Sequence, residues 1–140
     1  MEQPLSLYRL LDEPVPAATM QMIDAGKLRL AHAAWQAVLL RLLRKPRQPA
    51  ALQYRLSQLC EHVEKQFQGT SLGLFWHTAG LVAEAIARDH LHLHRGQRLG
   101  TWMQLEKAFR RLRQTIETGA PVIPDRQVNC GLLHLIQHCH

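Results

Sequence analysis

The sequence predicts an all-α protein, an antiparallel bundle of four long helices followed by a shorter C-terminal one. Three observations predict it. Apolar residues recur every three or four positions along five successive segments. Proline or glycine stands at most joints between them: Pro46 and Pro49, Gly69, then Gly119 and Pro121. The one strand-like alternation, residues 90–94, is too short to carry a sheet.

The elements follow in order. Residues 1–16 hold Pro4, Pro14 and Pro16 and read as a proline-punctuated arm ahead of a single bundle domain over 17–140. The first helix spans about 17–44, with Ile23, Leu30, Ala34, Val38 and Leu42 as its inner stripe, widened by Trp35, Leu39 and Leu43. The second spans about 49–68 on Leu52, Leu56, Leu59, Val63 and Phe67, and Gly69 ends it in a left-handed conformation. Thr70 or Ser71 caps the third, about 71–90, with Leu74, Phe75, Leu81, Val82, Ala85 and Ile86 inside. Small residues along it, Gly73, Ala79, Gly80 and Ala83 among them, allow a neighbouring helix to approach closely. The fourth runs about 99–118 on Leu99, Trp102, Leu105, Phe109, Leu112 and Ile116. The last opens at Pro124 and repeats the period at Val128, Leu132, Leu135 and Ile136, and that period is still running at His140, as in a piece of a longer protein.

Composition narrows the function classes. The chain has 140 residues, 46% of them hydrophobic, and 17 Lys+Arg against 11 Asp+Glu give a formal net charge of +6. That balance fits a globular domain and excludes disordered, collagen-like and disulfide-scaffold classes. The most apolar run, residues 28–43, contains Arg29, His32 and Arg41, at a cost of about 2.5–3.5 kcal/mol for each arginine at a bilayer centre, so it does not span a membrane. Three cysteines without CxxC spacing, and no secretory start, place the protein in the cytoplasm. The basic residues lie in two groups, 41–47 and 95–113. They read as solvated surface or as a face for an acidic protein rather than as a nucleic-acid footprint, which wants base-reading side chains interleaved.

Three histidine arrangements raise chemistry. His90, His92 and His94 would share a face on a strand but fan apart by about 200° between alternate positions on a helix, and they also read as solvated helix-end histidines. Cys130, His134 and His138 recur every four residues on one helical face, a spacing that metal sites use, although the glutamate of a hydrolytic HExxH motif is missing. The same residues suit the polar side of an amphipathic helix. His62 and Lys65 approach the HxxKG setting of phospho-accepting helices, but Gln66 stands where the glycine belongs, and Glu64 adds like charge. No phosphate-cradling glycine loop and no nucleophile signature is present, so the sequence points away from an enzyme and calls for no cofactor.

The block GTSLGLFWHTAGLVAEAI over residues 69–86, together with LEKAFRRL at 105–112 and GLLHLI at 131–136, resembles the FimL family and the related amino-terminal region of ChpA-type chemosensory kinases. The resemblance implies a bundle similar to histidine-phosphotransfer domains but without the phospho-accepting histidine. It implies a scaffold in type IV pilus and twitching-motility control, with a chemosensory response regulator or a polar hub protein as partner, and it carries over no catalytic residue. Nucleic-acid binding and membrane insertion are not expected, and a homodimer is open. Interfaces of this kind draw their energy from buried aromatics and arginines, which makes Trp76, Trp102, Arg110 and Arg113 the candidate anchors, Trp102 the weakest because it also fits the inner stripe.

Overall fold

A computed structural model describes residues 23–45 and 49–118. The proline-rich arm at 1–16, the expected fifth helix and the Cys130, His134 and His138 triplet lie outside the described residues. Within them the protein is helical with no strand: α1 Ala25–Leu43, α2 Ala50–Gln66, α3 Ser71–Ala87 and α4 Arg95–Thr118.

Local chemistry fixes the ends. Asp24 caps α1, its Oδ1 accepting from the Lys27 amide at 3.0 Å. The helix stops just before Pro46, because the residue preceding a proline is pushed out of helical geometry. α2 gives way at Phe67, and Gly69 then adopts φ +80°, a conformation that costs glycine nothing. Thr70 serves both sides of the turn: its hydroxyl donates to the Phe67 carbonyl at 2.6 Å and accepts from the Gly73 amide at 3.2 Å.

α4 begins four residues earlier than the apolar period predicts. The His94 amide donates to Gln97 Oε1 at 3.0 Å and the Gln97 amide donates to His94 Nδ1 at 3.2 Å, a reciprocal cap that lets the helix start at Arg95. The histidine run is therefore a connector, neither strand nor helix. Asp89 and His92 take left-handed φ values of 58° and 51°, and Arg98 braces the loop through the Leu93 carbonyl and Asp89.

α2 and α3 form the tightest pair. Ser57 Oγ donates to the Gly80 carbonyl at 3.0 Å, and Arg88 lies over the Tyr54 ring at 6.0 Å. With Glu64 beside His77 nearer the connecting turn, these contacts run the two helices antiparallel. A Cβ at Gly73 would collide with the Phe67 carbonyl, so the turn closes only on a residue without one. α1 and α4 are antiparallel as well: Arg29 meets Glu117 at one end, and Arg95 reaches the Lys45 carbonyl at the other.

These two pairs are joined by aromatic rings. Phe109 of α4 lies 4.6 Å from the Trp76 ring of α3 and 5.2 Å from the Trp35 ring of α1, and Trp102 meets Trp35 edge-on at 6.4 Å. All three tryptophans are 0% exposed. This corrects the assignment of Trp76 and Trp102 as surface anchors. Both belong to the core, where Trp76 packs on Phe109 and Trp102 on Trp35.

The stripes of α2 and α4 fall where the period predicts, and that of α1 does so except at Leu30 and Leu43, which face out. Its buried residues are Leu28, Ala31, His32, Trp35, Val38, Leu39 and Leu42, whereas Leu30 is 72% exposed. On α3, Leu81 also faces out, and Leu72, Trp76, Ala79 and Ala83 take interior places.

Two consequences are measurable. Gly73→Ala will destabilise the bundle by about 1–3 kcal/mol, the range for forced overpacking, seen as a lower thermal midpoint by circular dichroism. Phe109→Ala, which opens the junction of α1, α3 and α4, will cost about 3–5 kcal/mol in denaturant titration.

Candidate functional site

The polar centre of the described fold lies between α1 and α4 and was not singled out in the sequence. His32 and Glu106 are 2% and 5% exposed, and His32 Nε2 sits 2.9 Å from Glu106 Oε1. Arg110 donates to the other carboxylate oxygen at 3.0 Å, and Arg113 approaches His32 Nδ1 at 3.3 Å. A guanidinium only donates, so Nδ1 accepts, and the ring's remaining N–H points at Glu106. The imidazole stacks on Phe109 with 5° between the planes and 5.4 Å between centroids. Arg113 continues to Glu117 at 3.4 Å, which in turn faces Arg29 at 3.9 Å.

This chain of contacts resembles the base-and-carboxylate pairing of hydrolytic sites, but the pair is sealed inside the bundle. Ser57, Thr78, Thr101 and Thr115 direct their hydroxyls at backbone carbonyls, which leaves them turned away from any base. Cys60 is buried, and loss of solvation pushes its thiol far above the ordinary range, so it stays protonated and unreactive. Among the described residues no group of three or more His, Cys, Asp or Glu can hold a metal ion, which covers His90, His92 and His94.

What the arrangement does is fix two helices to each other by hydrogen bonds at a largely buried contact. Such a cluster holds register strongly once every member is paired. It also accounts for Arg110 and Arg113, the remaining candidate anchors. Both are engaged within the chain, yet Arg110 keeps 59% of its side chain open and Arg113 keeps 37%.

The outer surface is divided by α2. On one side, between α2 and α3, a groove of about 320 Å³ is lined by Glu61, Glu64 and Glu84 with Lys65 and His77. His77 Nδ1 is 3.2 Å from Glu64 Oε2. On the other side, between α1 and α2, a groove of about 480 Å³ has Leu30, Ala31, Ala34 and Leu59 within it and Lys27, Arg55 and His62 around it. His62 and Lys65 are both exposed but line different grooves. Gln66, in the place of the motif's glycine, is half-buried, and neither end of its amide has a hydrogen-bond partner among the described residues.

No described helix is long and apolar enough to cross a membrane. Comparison with known proteins adds one finding: residues 22–138 match the model of the FimL scaffold protein second domain. No curated protein and no solved structure matches the chain.

The polar cluster makes its own predictions. His32→Ala and Glu106→Ala will each destabilise the protein by about 1–3 kcal/mol, the loss expected when a buried hydrogen-bonding group is left without its partner. The double variant will lose less than the sum, with a coupling of about 0.5–3 kcal/mol in a mutant cycle. Cys60 will resist alkylation in the native protein and react on denaturation, as read by mass mapping of the peptide that contains it.

Proposed function

Since the chain belongs to the FimL scaffold family, as a second domain, we propose that it is a non-catalytic module that works by binding other proteins in bacterial signalling, in the control of type IV pili and twitching motility. The observation that carries this reading is the family match across residues 22–138. Two structural features support it. The reactive-looking groups are occupied in holding α1 to α4, and the surface beside α2 carries shallow grooves of unlike charge on its two sides. A domain of this kind changes which proteins meet, and its output is set by occupancy, not by turnover.

The partner expected of such a domain is a chemosensory response regulator or a polar hub protein. Of the anchors named from the sequence, Arg110 remains the one a partner can reach most easily, and Arg113 lies three residues along the same helix.

A second reading rests on His62, which is exposed in the C-terminal third of α2 with Lys65 about one turn on. In a phosphotransfer domain that histidine would accept a phosphoryl group from a response regulator. The buried Gln66 amide, where a glycine would leave room for the incoming protein, speaks for the scaffold reading instead.

Both are tested together. Affinity capture of the full chain from cells that assemble type IV pili will recover a chemosensory or polar-hub protein, and failure to recover either would remove the scaffold reading. Incubation with a phosphorylated response regulator will leave no acid-labile label on the wild type. Label that disappears in His62→Gln would establish phosphotransfer in its place.

A further inference from the structure

α1 is apolar on two opposite sides. One side is the core stripe from Leu28 to Leu42. The other carries Leu30, Ala33, Ala37 and Leu40, whose spacing of three, four and three sets them in a second line about half a turn away from the first. Leu30 and Leu40 are 72% and 53% exposed, and both alanines face solvent. A surface helix ordinarily keeps polar residues on its outer side, and a contiguous apolar line there marks a contact surface.

Charge narrows what fits. The line borders the α1–α2 groove, whose ionisable lining residues are Lys27, Arg55 and His62, with no carboxylate. Arg41 and Arg44 stand at the far end of the same helix, and α1 itself contains no acidic residue. The contrast lies one helix away, where Glu61, Glu64 and Glu84 line the other groove. An occupant of the α1 side therefore needs an apolar face and acidic flanks. From Leu30 to Leu40 is about 15 Å of helix, which matches roughly three turns of a partner helix laid alongside.

We propose that the outer face of α1, with the adjoining α1–α2 groove, is the docking site for an acidic amphipathic helix of another protein. Apolar residues of that helix seat against Leu30, Ala37 and Leu40. Its carboxylates meet Lys27 and Arg55 on one edge and Arg41 beyond Leu40. The proposal rests on the protein-binding reading above and locates it on a surface separate from Arg110.

The test is photo-crosslinking in the native host. A benzophenone amino acid is placed in the full chain at position 30 and, in a second strain, at position 107 on α4. Position 30 is expected to capture another protein through a segment that mass mapping identifies as acidic and amphipathic. Arg55→Glu in the same chain will cut that adduct at least tenfold with the thermal midpoint unchanged. Capture of a basic or neutral segment, of residues 119–140 of the same chain, or of a second copy would overturn the proposal, as would an adduct indifferent to Arg55→Glu. Adducts from position 107 alone overturn it and leave the protein-binding reading standing. Adducts from neither position overturn both.

Discussion

Phe109 occupies the point where three helices converge, and the rest of the architecture follows from how that point is filled. Its ring touches Trp35, Trp76 and His32, residues brought from α1 and α3. These rings are the contacts by which α4 meets α1 and α3 in the core. Aromatic pairs in tilted and edge-on arrangements also add about 0.5–1.5 kcal/mol each beyond the area they bury. The indole N–H groups of Trp35 and Trp76 have no hydrogen-bond partner among the described residues, at a cost of about 1–3 kcal/mol apiece. These positions keep tryptophan for its bulk.

The buried ionic cluster adjoins the same rings. His32 lies flat on Phe109, and the room beside the ring is bounded on its polar edge by Glu106 and Arg113. A carboxylate so far out of water is tolerable only with its hydrogen bonds made, and here His32 and Arg110 supply one to each oxygen. The two arginines that a surface inventory would offer to a partner are thus also structural elements. Their exposed portions and their buried bonds belong to one side chain, so a partner that pulls on either pulls on the α1–α4 contact.

Much of this was legible in the sequence where a local rule operates. The stop at Gly69, the Thr70 cap and the close approach at Gly73 each follow from the chemistry of a single residue. The stripes of α2 and α4 were legible because their other faces are polar. On α1 most of the stripe is legible too, and Leu30 and Leu43 are misplaced for the opposite reason: leucines and alanines surround the helix, so its apolar side has no sharp edge. Trp76 and Trp102 were read as anchors because large aromatics serve interfaces and cores alike, and only the depth of the bundle separates the two uses. His32 and Glu106 stand 74 positions apart, and no spacing rule connects them. The early start of α4 was missed because histidine is an uncommon cap, effective here through the matching glutamine.

The turn at residues 67–70 also sets how much chain freedom each helix pair gives up. Its two helices meet through contacts separated by few residues, and bringing such ends together loses little chain entropy. The bridge between His32 and Glu106 encloses most of the described chain, and its closure costs correspondingly more entropy. The α2–α3 hairpin is thus the closure that gives up less chain freedom, and the α1–α4 contact the one that gives up more.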